Sequence, residues 1–257
     1  QLRAPDGCLF CSPDYGQIEA RCIAMASRDK VFVRALWEDY DVHMEWAVRL
    51  SKAWPELLSR TAKDPLKKLR QKVKSDWVFA LFFGAAQGTA ERHLGVPPGS
   101  LSAEYEEFWR IFSGVREWQE QQLALFREHG YVETLMGRRR RAPISMNQVI
   151  NNTIQGLAAD IVLDGMNALS ALAADDWHFQ PVMNVHDDLT SIFPVEGFDQ
   201  YVEKTINTLL WKNYPFLNVP LQVEVSIGEN LCDMTEIGRY DNKDWLRGQR
   251  GKVQKSV

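Results

Sequence analysis

The chain has 257 residues, of which 45% are hydrophobic and 25% charged, with a formal net charge of −4. That balance is ordinary for a globular protein; it excludes a disordered chain, a coiled coil and a uniformly basic histone-like binder. Apolar runs stop short of the roughly 18 residues a membrane span needs, no signal-peptide order is present, and four cysteines suit a reducing compartment rather than a disulfide framework. Opening on Gln1 is expected of a processed product or a piece of a longer chain.

Taken in order, residues 7–14 read as a short apolar strand opened by the Pro5-Asp6-Gly7 turn, and residues 17–27 as a helix with Ile18, Arg21, Cys22 and Met25 at helical spacing. Asp41 is placed to cap a helix running from Val42 to about Leu50. Residues 66–86 are helical, basic in the first half and aromatic in the second. A loop at 95–102 precedes one long amphipathic helix over 102–128, whose Tyr105, Phe108, Trp109, Phe112, Val115 and Trp118 read as core. A strand at 131–135 leads to a basic turn at 137–141, then a long helix over 147–174. Strands at 181–186 and 189–193 form a hairpin around a two-residue acidic turn. A helix at 197–211 and a strand at 221–227 follow, and the polar, basic end is expected to be partly disordered. Strands near both chain ends with helices between them imply an α+β protein with a small antiparallel sheet and a helical insertion.

Asp14 ends the first strand and Asp187 sits at the hairpin tip. If that strand pairs beside the hairpin, the two carboxylates meet at one sheet edge, an arrangement that suits two hard divalent cations and in-line phosphoryl transfer. A lone Asp at a strand end is more often a cap or a turn residue. The surrounding words are more specific. Residues 14–21, DYGQIEAR, closely resemble motif A of the family A DNA polymerases, and residues 184–188, NVHDD, resemble their motif C. Residues 151–160 (NNTIQGLAAD) are similar to the helix that tracks the primer–template minor groove. Residues 130–140 (GYVETLMGRRR) are similar to the template-contacting segment, Asp41-Val42-His43 to a short motif before the fingers helix, and residues 221–229 to the terminal palm strand. They occur in family order across nearly the whole chain.

The resemblance implies a right-hand polymerase fold: palm at 1–40, fingers at 41–129, a second palm part at 130–238, a basic tail at 239–257, and no thumb. It implies two Mg²⁺ ions on Asp14 and Asp187, with the Tyr15 backbone carbonyl as an extra ligand. Asp188 stands where the family more often has Glu; it keeps the charge but is one methylene shorter, which suits a secondary role at the metals better than a direct one. Glu19 matches the gate that excludes a ribose 2′-hydroxyl, so RNA synthesis is disfavoured, and Gln17 and His43 fall with the nucleotide-binding residues. Asn151 and Gln155, four apart on one helix face, present amides that can reach the minor-groove acceptors common to all base pairs. His186 matches the residue beside the primer terminus, and Arg138 and Arg139, in the run to Arg141, the contacts to template phosphates.

The family pattern on the fingers helix spaces Arg, Lys, aromatic and Tyr-Gly four residues apart. Arg70 and Lys74 keep that spacing, as do Phe79 and Phe83-Gly84, but Lys74 to Phe79 is five steps. One π-type bulge repairs the register, putting Arg70 and Lys74 on the triphosphate, Phe79 at the nucleotide and Phe83 at the template position. A straight helix instead keeps Lys74, Val78 and Phe82 on one face. Lys63, Lys67, Lys68 and Lys72 read mostly as a solvated face. Cys8 and Cys11 have CxxC spacing without a completing pair and read as buried thiols.

The implied function is template-directed DNA synthesis, with primer–template DNA and deoxynucleoside triphosphates as ligands. A second polypeptide is expected to supply the thumb and upstream palm, in the cytoplasm of a bacterial or phage-infected cell and away from membranes. The alternative is a non-catalytic primer–template-binding subunit; a metal-dependent nuclease is weaker, because nothing supplies a hydrolytic base.

Overall fold

A computed structural model describes the backbone of residues 2–58 and 62–253, and the side chains there through Gly248. Two compact units emerge, one of Gln1–Cys22 with Gln155–Val257 and one of Ile23–Ile154. The first joins the two chain ends, and the divisions fall at 22 and 154. Among the described residues the strands are β1 (Cys8–Tyr15), β2 (Tyr131–Glu133), β3 (Arg139–Arg141), β4 (Met183–Val185), β5 (Asp188–Pro194), β6 (Gln222–Gly228) and β7 (Thr235–Asp241). They form an antiparallel sheet of order β4-β5-β1-β6-β7 and a separate β2-β3 hairpin. The mixed helix and antiparallel-sheet architecture is the α+β class read from the sequence.

In the sheet unit, strand alternation separates two faces. On β1, Cys11, Pro13 and Tyr15 are buried, while Ser12 and Asp14 point the other way and stay partly open. The Tyr15 hydroxyl donates to the Leu209 carbonyl at 3.1 Å, tying the end of β1 to the helix Phe198–Leu210. Phe193 of β5 stacks on Tyr201 of the same helix at 4.9 Å. The turn between β4 and β5 is His186-Asp187, not Asp187-Asp188: Asp188 already pairs with Val185 and Asp14. The C-terminal stretch also departs from the expected loose tail. β7 pairs with β6 and a helix follows over Lys243–Val253; residues 254–257 of that tail lie outside the described residues. Buried Asn242 is the reason: its amide donates to the Leu210 carbonyl at 2.7 Å and its carbonyl accepts from the Leu221 amide at 2.7 Å.

The helical unit is built on an aromatic core in which Phe32, Trp46, Trp77, Phe82, Phe108 and Phe112 are buried, with ring centroids of neighbouring pairs 4.9–6.4 Å apart. Two helices beyond those expected complete it, Lys30–Trp37 and Gln87–Leu94. The expected long helix is two, Ser102–Ile111 and Ser113–His129. Asp29 explains the break: one carboxylate oxygen caps the helix Lys30–Trp37 through the Phe32 amide at 2.8 Å, and the other accepts from the Gly114 amide at 2.9 Å. A Cβ at position 114 would sit 2.9 Å from that second oxygen, so only glycine allows the approach. Asp41 caps the helix Val42–Ala53 through the Met44 amide, as expected. The basic stretch expected as a turn is strand β3, because Arg139–Arg141 pairs with Tyr131–Glu133.

Candidate active site

The sheet unit places Asp14 and Asp187 together. Asp14, next to last in β1, lies directly opposite Asp188 on β5, and the Asp187 carbonyl, at the hairpin tip, accepts from the Tyr15 amide at 3.1 Å. Asp14, His186, Asp187, Asp188, Leu231 and Met234 contribute to one groove of about 370 Å³. His186 holds a positive φ of 55° and is exposed at its rim. Burial first, then the charges of Asp187, Asp188 and Glu224, push the Asp14 carboxyl up to about 6. Crowded like charges of hard oxygen donors are an arrangement that a cation relieves. Among the described residues no set of three or more His, Cys, Asp or Glu side chains is gathered as a metal cage. Asp14 and Asp187 offer hard carboxylate oxygens of the kind a divalent cation can take one or two of, with its other ligands from water.

Asp188 is engaged differently. Ser12 Oγ donates to one of its oxygens and Thr190 Oγ1 to the other, the latter at 2.6 Å. Both oxygens thus have hydroxyl donors, which fits a positioning role. On the far side of β1, Glu224 stands opposite Asp14 in register. Ser12, Thr190 and Glu224 were invisible as site residues in the sequence; period-two alternation puts them on the Asp14 face only once strand pairing is known. At the start of the helix Ile18–Ser27, Gln17 is exposed at φ 53° and Glu19 half-buried. Buried Arg21 donates to the Gly16 carbonyl at 2.8 Å and to Gln222 Oε1 at 3.0 Å, fixing the turn between Asp14 and Glu19.

The helical unit holds a second cluster. Helix Pro65–Val73 passes into a π-helical turn over Lys74–Phe79 before Ala80–Phe82. The expected bulge is therefore present, and the straight-helix register is excluded: Val78 is fully buried while Phe79 is half-open. Lys74 Nζ lies 5.9 Å from the Phe79 ring centroid, Phe79 lies 6.0 Å from Phe83, and His43 lies 5.4 Å from Phe79. Arg70 forms an ion pair with Asp41 at 2.6 Å, a partner that helical spacing does not assign. His43 is buried, its Nδ1 has no hydrogen-bond partner among the described residues, and burial followed by Lys74 and Arg70 drives its pKa down to about 4.

The remaining residues lie where basic and amide groups cluster. Arg139 bonds Glu133 and lies 4.7 Å from the Tyr131 ring; Arg140 bonds Asn152; Arg138 is exposed on the same hairpin. Asn151 and Gln155 share the helix Met146–Leu172; the Asn151 carbonyl oxygen is buried without a partner among the described residues, and Gln155 is exposed. Cys11 is buried, its thiol pushed up to about 12 by burial and Asp188, whereas Cys8 is only half-buried. No described helix is long and apolar enough to cross a membrane.

The family described as DNA polymerase family A matches residues 2–233. The chain belongs to that family. It is 32% identical over 244 residues to DNA polymerase I, thermostable, of Thermus aquaticus, which covers 91% of this chain and 28% of the relative. It is 31% identical over 246 residues to DNA polymerase I of Chloroflexus aurantiacus, covering 91% of this chain and 25% of the relative. The chain thus spans about a quarter of the length of these relatives. A solved structure of the POL domain of Pol1 from M. smegmatis, in complex with DNA primer–template and dNTP, shares the fold with a TM-score of 0.73 at 23% identity, over 89% of this chain and 41% of that one.

Proposed function

We propose that this chain carries out nucleotidyl transfer in template-directed DNA synthesis, with the sheet unit as palm and the helical unit as fingers. The observation that carries the reading is the pairing of β1 with the β4-β5 hairpin, which brings Asp14 beside Asp187 in a member of this family. Asp14 and Asp187, with the Tyr15 carbonyl, would hold two Mg²⁺ ions, which when bound neutralise triphosphate charge and make a primer 3′-hydroxyl a better nucleophile. Lys74 and Arg70 bind the triphosphate of the incoming nucleotide, with Asp41 aiming the Arg70 guanidinium. Phe79, backed by His43 and Phe83, stacks at the nucleotide, with Phe83 toward the template position. Glu19 fills the space of a ribose 2′-hydroxyl, with Gln17 beside it. Asn151 and Gln155 read minor-groove acceptors, Arg138 and Arg139 hold template phosphates, and His186 meets the primer end.

Primer extension tests this, with the chain joined to or mixed with the upstream half of a relative. Asp14→Ala and Asp187→Ala are each expected to lower Mg²⁺-dependent incorporation on the order of a thousand-fold while duplex binding stays within about two-fold. Wild-type rates in either variant would sink the assignment. Duplex binding by the wild type without any extension would favour the alternative, a non-catalytic primer–template-binding part.

A further inference from the structure

Across the open face of the sheet, one row of side chains runs over four strands. Asp188 on β5 pairs with Asp14 on β1, Asp14 with Glu224 on β6, and Glu224 with Arg239 on β7. Residues directly opposite on neighbouring antiparallel strands share a face, with Cβ atoms about 5 Å apart. The row therefore reads minus, minus, minus, plus. Arg239 Nη2 meets Glu224 Oε1 at 2.7 Å, whereas Asp14, Asp187 and Asp188 enter no salt bridge among the described residues. β7, which delivers Arg239, lies beyond the residues that match the family.

We infer that Arg239 is a positioning residue that holds Glu224 out of the cation-binding set, so that Asp14 shares its cation with Asp187 rather than with Glu224. This rests on the metal reading of Asp14 proposed above. The geometry supports it in two ways. Glu224 flanks Asp14 on the side away from the hairpin, and as a hard oxygen donor it competes for the same ion. Its ion pair occupies an oxygen and cancels the charge, and β7 is anchored close by through Asn242, so the guanidinium is delivered by a bonded strand.

The test is Mn²⁺ binding to the full chain, read as free Mn²⁺ by electron paramagnetic resonance. Arg239→Gln is expected to tighten binding about three- to five-fold, the scale of one partly exposed charge pair. Arg239→Lys keeps the charge and should stay within about two-fold of wild type on the same scale. In a Glu224→Gln background the effect of Arg239→Gln should disappear. Unchanged affinity in Arg239→Gln overturns the inference, and so does a shift of equal size in the Glu224→Gln background. Asp14→Asn separates the two levels: it should abolish binding, and Mn²⁺ binding that survives it unchanged overturns the metal reading on which the pair's role rests.

Discussion

His43 shows how a single residue carries the electrostatics of the helical unit. Its imidazole takes a proton near 6.5 when solvated but only near 4 when buried beside Lys74 and Arg70. Between those values the unfolded chain binds more protons than the folded one. The stability contributed by the neutral ring is therefore whole above about 6.5 and is lost as pH falls toward 4. Asp14, raised to about 6, acts in the opposite sense: its protonated form stabilises the fold at low pH, and that contribution is lost as pH rises through 6. Comparison with a His43→Gln variant isolates the imidazole. Between pH 7 and 4 the wild type should lose about 3 kcal/mol relative to the variant. Parallel curves of melting temperature against pH would show that the ring titrates normally.

At the scale of elements, the π turn decides which aromatic side chain is offered to a ligand. One extra residue rotates the remainder of the helix by about 100°, so Phe79 comes to His43 and Lys74 while Val78 turns into the core. Val78→Tyr should overpack that core and cost about 1–3 kcal/mol in chemical denaturation. Phe79→Tyr, half-open, should stay within about 0.5 kcal/mol. In primer extension Phe79→Tyr should also change discrimination against dideoxynucleotides, because its hydroxyl can take the place of a missing 3′-hydroxyl. A selectivity change at Val78 with none at Phe79 would reverse these roles. The register mismatch was legible from spacing, since Lys74 and Phe79 stand five apart. The ion pair of Arg70 with Asp41 was not, because it joins two helices that only packing brings together.

At the scale of the whole molecule, the C-terminal segment is part of the fold. Asn242 satisfies the Leu221 amide and the Leu210 carbonyl where neither can reach water. Asn242→Ala leaves the Leu221 amide unpaired, while the Leu210 carbonyl keeps the Lys212 amide at 2.9 Å, and a buried unsatisfied group costs about 1–3 kcal/mol. The variant should be less stable by about 1–3 kcal/mol on that scale. Its β7 amides should exchange hydrogen faster than those of β1, as a sub-global opening. Equal protection of both strands would show that Asn242 does not anchor β7.

Sequence alone determined the chemistry available and its order along the chain: the two acidic motifs, the capping Asp41, the aromatic core and the need for a bulge before Phe79. Those signals are local, set by propensity, spacing and periodicity over a few residues. The break at Phe112 was hidden because the carboxylate that causes it, Asp29, lies far back in the chain. The strand at Arg239 was hidden because a polar, basic stretch becomes a strand only when an open edge such as β6 accepts it. The row Asp188, Asp14, Glu224 and Arg239 exists in no segment of the sequence; register across four strands makes it, and register is a tertiary property.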